Sequence, residues 1–161
     1  MNLEYKETQK FSQWWLWLIL LASVGFMAFK TYQQMFLGIQ DGNIPMSNGI
    51  LIALTVLLFT ILILFGRIQL NTYINQSEIN IHFIPFSKKR ILWKDVKKAE
   101  VVNYGFVGGW GFRFWTKHGR VYNTGGDTGL SIELNNGEKY LVGTQKAAEL
   151  TQYLESIKPY D

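Results

Sequence analysis

ILIALTVLLFTILILFG, residues 50–66, is apolar along its whole length. As a helix rising 1.5 Å per residue it reaches about 25 Å, near the lower limit for crossing the hydrocarbon core of a bilayer. Thr55 and Thr60 are its only hydroxyls, and each can return its hydrogen bond to the preceding helical turn. Arg67 follows at once and opens a segment with strand-like alternation, so this run ties a folded domain to a membrane.

Toward the N-terminus, MNLEYKETQK is short and polar, and Phe11–Phe29 (FSQWWLWLILLASVGFMAF) is apolar and aromatic. No small-x-small cleavage site follows it, and Trp14, Trp15 and Trp17 suit an interfacial belt rather than a disposable leader. The sequence therefore predicts a two-span hairpin over residues 1–66, with spans at about 12–36 and 48–66 and Lys30 snorkelling toward the surface. Gln40–Asn48 (QDGNIPMSN) gathers Gly, Pro and Asn and is the expected loop between them. Ala22, Gly25 and Ala28 recur at every third residue, a small face expected to pack against the second helix near Ala53, or to serve dimerisation.

Lys6, Lys10 and Lys30 balance Glu4, Glu7 and Asp41 in this half, so the whole net charge of +4 belongs to residues 67–161. Cationic residues flank the spans at Lys6, Lys10, Arg67 and Lys88–Arg90, whereas the loop carries an acid and no base. By the positive-inside rule both termini face the cytoplasm. The charge surplus is too sparse for a nucleic-acid stripe and suits an anionic leaflet better. With no cysteine, disulfides, thiolate catalysis and Cys-based metal sites are excluded.

From Arg67 the apolar period becomes two. Ile68, Leu70, Thr72 and Ile74, then Ile79, Ile81 and Phe83, describe a hairpin turning at Asn75–Ser77. Further strands are expected at 90–94, 96–103, 110–117, 120–123, 130–134 and 138–142, with Asn136-Gly137 a strong hairpin turn. Thr144 is placed to cap a closing helix whose Ala147, Leu150, Tyr153, Leu154 and Ile157 share one face, ending before Pro159. The fold class is α+β: a transmembrane hairpin, then seven or eight antiparallel strands as a barrel or split sheet, then one amphipathic helix.

Ile91-Leu92-Trp93-Lys94-Asp95-Val96 resembles the hydrophobic-x-Trp-x-Asp-Ile/Val segment of bacterial pleckstrin-homology-like (PH-like) domains. The segments Tyr104–Arg113 and Gly143–Lys146 are similar to parts of uncharacterised bacterial membrane proteins that join two N-terminal spans to such a domain. The resemblance covers roughly residues 67–158 and implies an interaction or sensing module in the bacterial cytoplasmic membrane. Phosphoinositide-binding PH domains carry Lys and Arg around the turn joining their first two strands. Here that turn reads Asn75-Gln76-Ser77-Glu78, so the resemblance brings no phosphate pocket with it.

The glycines at 105–111 fit neither GxGxxG nor GxxxxGK[ST] and read as a link between sheets. His82 and His118 have no acid at ligand spacing, which argues against a metal. Asp127, Glu133 and Glu138 read as solvated carboxylates without a nucleophile beside them. Neither an enzyme, nor a cofactor, nor a small-molecule substrate is expected. Trp110, Arg113 and Trp115 are the candidate partner-binding residues, with Arg113 and Trp115 on one strand face and Phe112 and Phe114 on the other. Lys88, Lys89, Arg90 and Lys94 are the candidate contacts to anionic lipid, against a plainer role in keeping a strand edge from pairing. The expected function is a non-enzymatic membrane adaptor that binds a protein partner or another copy of itself. The alternatives are an anionic-lipid-binding module or an accessory subunit of a transporter or enzyme complex.

Overall fold

The computed structural model describes residues 4–40, 46–105 and 109–157. It divides into a helical unit, Ser12–Arg67, and a second unit made of the residues up to Phe11 and those from Ile68 onward.

In the helical unit α1 spans Trp14–Phe36 and α2 spans Asn48–Arg67. At about 34 and 30 Å they are long and apolar enough to cross a membrane. Thr55 and Thr60 donate to Leu51 O and Val56 O, each at 2.8 Å, so neither hydroxyl is left for lipid to solvate. The helices meet through Thr31 and Thr55, whose hydroxyls lie 2.8 Å apart, and through Trp17 set edge-on to Phe65. Gln34 Nε2 donates to Met46 O and Asn48 Oδ1 at the far end of the pair. Ala22, Gly25 and Ala28 do not form this seam. All three are exposed, as is Ala53, because bulkier Trp17 and Thr31 occupy the face toward α2. Residues 41–45 of the expected loop lie outside the described residues.

The second unit begins before α1, in a segment whose sequence reads as a polar flank. Glu4–Lys10 is strand β1 and pairs antiparallel with β2 (Gln69–Asn75), from Glu4↔Asn75 to Lys10↔Gln69. β3 (Glu78–Ile84) and β4 (Ser87–Leu92) complete a four-stranded meander. A 3-10 turn, Trp93–Asp95, leads into β5 (Val96–Asn103). The remaining strands are β6 (Gly111–Thr116), β7 (Gly119–Asn123), β8 (Thr128–Leu134) and β9 (Lys139–Gly143). With β5 they form a five-stranded sheet in the order β5-β8-β9-β7-β6. Helix α3, Ala147–Ile157, closes the unit.

Three expectations are corrected by this topology. The β unit is not confined to residues 67–161, since β1 belongs to it. Among the described residues there is no closed barrel, because β1 and β4 are the edges of one sheet and β5 and β6 the edges of the other. Nor is the second sheet wholly antiparallel: β8 pairs with one side of β9, which places β7 parallel on its other side. Gly119 permits that neighbourhood. Its φ is +75°, and a Cβ there would run into the Lys139 carbonyl.

Both sheets and α3 share one core. Leu70, Ile74, Ile79, Ile81 and Phe83 come from the first sheet, Tyr122, Leu130, Ile132, Tyr140 and Val142 from the second, and Leu150 and Tyr153 from the helix. The α3 face is the predicted one, with Leu154 and Ile157 packed at its margin. Thr144 Oγ1 accepts from Lys146 N just ahead of the helix. Pro159 lies outside the described residues. In the segment from Ile91 to Val96, Ile91, Trp93 and Val96 are buried, and Trp93 Nε1 donates to Asn75 O at 2.7 Å. The crossover between sheets is thereby pinned to the β2–β3 turn.

β1 is held by polar rather than aliphatic side chains. Its inward residues are Tyr5, Glu7 and Gln9, all buried. Glu7 accepts from Tyr5 OH at 2.6 Å, Thr144 Oγ1 at 2.7 Å and Gln145 N at 2.8 Å. Gln9 donates to Gly143 O and accepts from Thr124 Oγ1. Burial, with the Glu7 carboxylate beside it, raises the Tyr5 hydroxyl far above its ordinary range, so it remains a donor. Glu7→Ala removes three hydrogen bonds, two of them buried, and should destabilise the unit by about 3 kcal/mol. The exposed Lys6→Ala should leave the unfolding midpoint of the detergent-solubilised chain unchanged, and denaturant unfolding of the two variants checks the contrast.

Candidate functional site

The aromatic segment after the glycine link becomes an edge strand. Among the described residues β6 pairs only with β7, from Gly111↔Asn123 to Arg113↔Val121, and its register breaks before Thr116↔Gly119. Asn123 is buried behind the start of the strand, accepting from Gly111 N at 3.0 Å and donating to Tyr104 OH at 3.2 Å. Phe112 turns inward and stacks on Tyr122 at 4.6 Å, with Phe83 at 6.3 Å. Phe114 follows it on the same side at 4.3 Å from Phe112 but is 53% exposed. Residues 106–108 of the glycine link lie outside the described residues.

The structure places the three candidate partner-binding residues at this edge in different states. Trp115 is 97% exposed and lies 6.0 Å from the Phe114 ring. Arg113 is half-buried, its guanidinium lying against Gly109, where a Cβ would collide with it. Trp110 stands ahead of the strand and is 38% exposed. The segment thus keeps one fully presented indole on an open strand edge, beside a guanidinium already seated.

The basic run is not one patch. Lys88 and Arg90 point outward on β4 and Lys89 inward, as strand alternation requires. Lys89 reaches the second sheet, its ammonium 5.1 Å from the centre of the Tyr140 ring and 3.9 Å from the Glu138 carboxylate. Arg90 pairs with Glu78. Lys94 lies in the 3-10 turn, where its carbonyl accepts from Asn135 Nδ2. Lys89, Arg90, Asp95, Asn135 and Glu138 line a polar hollow of about 280 Å³ that carries both signs of charge. Of the four candidate lipid contacts, Lys88 is the exposed cation nearest the β3–β4 turn, opposite His82.

Two features escaped the sequence reading. One is Phe86, which stands 62% exposed in the β3–β4 turn and stacks on Phe83 at 6.0 Å. The other is a polar groove lined by Lys98, Glu100, Lys117, His118, Glu133 and Lys139. Its carboxylates are held by neighbours, Glu133 by Lys97 at 2.9 Å and Glu100 by Lys98 at 2.7 Å. Glu133 is lowered below its ordinary value mainly by the Lys97 hydrogen bond. The described residues gather no cluster of His, Asp and Glu able to hold a metal ion. No family model and no curated protein matches this chain.

His118 reports on this groove. Burial, then the charges of Lys117 and Lys139, lower its pKa below the ordinary 6.5, and its Nε2 is buried without a partner among the described residues. A lowered histidine makes the unfolded chain bind more protons in mild acid. Its contribution is therefore present above pH 6.5 and is lost as pH falls from there toward the lower folded value. His118→Gln should flatten the decline of the unfolding midpoint across that window, as thermal melts in a pH series can measure.

Proposed function

We propose that this protein is a non-enzymatic interaction module held in the bacterial cytoplasmic membrane by a two-span hairpin, presenting its β unit to a protein partner or a second copy of itself. The pairing of β1 with β2 supports the two-span reading, since it brings the chain on either side of α1 and α2 into one sheet. Two helices that both cross would return the chain to the side it left. The cationic flanks favour the cytoplasmic side. The four-stranded meander, the β5-β8-β9 group and α3 are compatible with a PH-like arrangement in which the β6–β7 hairpin is an addition.

The observation that carries the interaction reading is Trp115, almost wholly exposed on an edge strand whose partner side is open. An exposed indole on an unpaired edge is an aggregation hazard unless something covers it, and tryptophan and arginine are the residues richest in binding energy at interfaces. Trp110 and Arg113 flank it on the same segment. A photoreactive phenylalanine at position 117, beside that edge, should give a protein adduct in native membranes. Arg113→Ala with Trp115→Ala should cut its yield by about tenfold or more. Unchanged yield, with unchanged thermal stability, would refute the site.

The membrane arrangement has its own test, made simple by the absence of native cysteine. Ser47→Cys, in the expected outer loop, should react with an impermeant maleimide added to intact cells. Gln76→Cys, in the β2–β3 turn, should react only after lysis. The reverse pattern would invert the topology, and labelling of both in intact cells would remove the two-span reading.

A further inference from the structure

The two ends of the four-stranded sheet differ in chemistry. At one end the register runs Lys10↔Gln69↔Ile84, so the chain departs toward α1 and returns from α2 beside the turn that carries Pro85 and Phe86. Residues 8–13, 66–71 and 82–90 contain no acid. Lys10 and Lys88 are exposed there and make no ion pair among the described residues. At the other end lie Glu4, Asn75, Gln76, Ser77 and Glu78, which carry acids, and the rings there are tied down, Tyr73 donating to Glu4 and Trp93 to Asn75 O. Exposed aromatic surface gathers on the first side. Phe86 and Phe114 belong to a run of rings, Phe86–Phe83–Phe112–Phe114, whose inner member Phe83 is a fully packed core residue. The exposed rings are thus braced from behind.

We propose that this end is an interfacial foot: Phe86, with Phe114 beside it, enters the boundary between headgroups and acyl chains, while Lys10 and Lys88 lie against anionic headgroups. The inference rests on the reading that α1 and α2 span a bilayer. Four features favour lipid over a protein as the occupant. The chain itself ties this end to two apolar helices, with only Ile68 between Arg67 and Gln69. Its charge is of one sign, matching an anionic leaflet. Aromatic rings are the side chains that favour the headgroup level. The opposite end of the same sheet carries acids, is not joined to the helices, and has rings, Tyr73 and Trp93, that are hydrogen-bonded into the fold rather than presented.

The test uses the full chain in vesicles of phosphatidylcholine and phosphatidylglycerol, with a nitroxide on a single introduced cysteine. Labels at Phe86→Cys and, with Phe86 intact, at Phe114→Cys are compared with Gln76→Cys, and Leu57→Cys in α2 is the depth reference. Collision with a water-soluble nickel chelate should be about fivefold or more lower at 86 and 114 than at 76, with oxygen collision higher than at 76. Nickel access at both positions equal to that at 76 overturns the proposal. Low collision with both quenchers also overturns it, since it means that protein covers the rings. If the label at 57 is itself in water, the spanning reading fails and the foot with it. A deep label at 57 with wet labels at 86 and 114 defeats the foot alone.

Discussion

The β unit depends on a buried carboxylate that joins the two extremes of the chain. Glu7 lies ahead of the apolar helices, and its donors Thr144 and Gln145 lie more than a hundred residues later. Gln9 repeats the tie with Thr124 and Gly143. These hydrogen bonds fix β1 in a place where aliphatic side chains would only have required burial. A buried carboxylate is tolerable because both its oxygens accept hydrogen bonds, and an incomplete set would cost more than it contributes. The geometry therefore selects one register for β1: a slip by one residue would send Glu7 to solvent and Lys6 or Thr8 inward.

Such a tie is expensive in chain entropy. Bringing β1 to β2 closes a loop on the order of 60 residues, which for a flexible chain costs about 4 kcal/mol. The helical pair reduces that cost, because α1 and α2 lie side by side through Thr31–Thr55 and Trp17–Phe65 and shorten the effective loop to a few residues. The β unit and the helical unit are thus coupled in folding through connectivity, whatever their separate stabilities.

What the sequence disclosed follows from where the burial is aliphatic. The two apolar helices were legible from unbroken apolar length, and the alternation of β2 and β3 and the face of α3 because chiefly Leu and Ile mark their inner sides. β1 was not, since Tyr5, Glu7 and Gln9 give EYKETQK no hydrophobic period. The parallel pairing of β7 with β9 was not legible either: hairpin signals such as Asn136-Gly137 describe neighbours in sequence, and nothing local records which side of β9 a third strand will take. The small-residue stripe misled because space on a helix face does not say which face meets the partner. At the candidate site, alternation alone does not account for the exposure of Trp115, because the register breaks after Arg113 and leaves Phe114 and Trp115 both exposed. Phe86 went unnoticed because a lone aromatic within a turn carries no pattern at all.

In topological terms the apolar pair is an insertion into a β-turn. Lys10 and Gln69 are register partners on adjacent antiparallel strands, the positions that a two-residue reverse turn joins in an ordinary meander. The helical pair occupies one such turn and interrupts no other strand connection. A water-soluble version of the same two-sheet unit is therefore separated from this chain by a single excision, with the cut and the splice side by side.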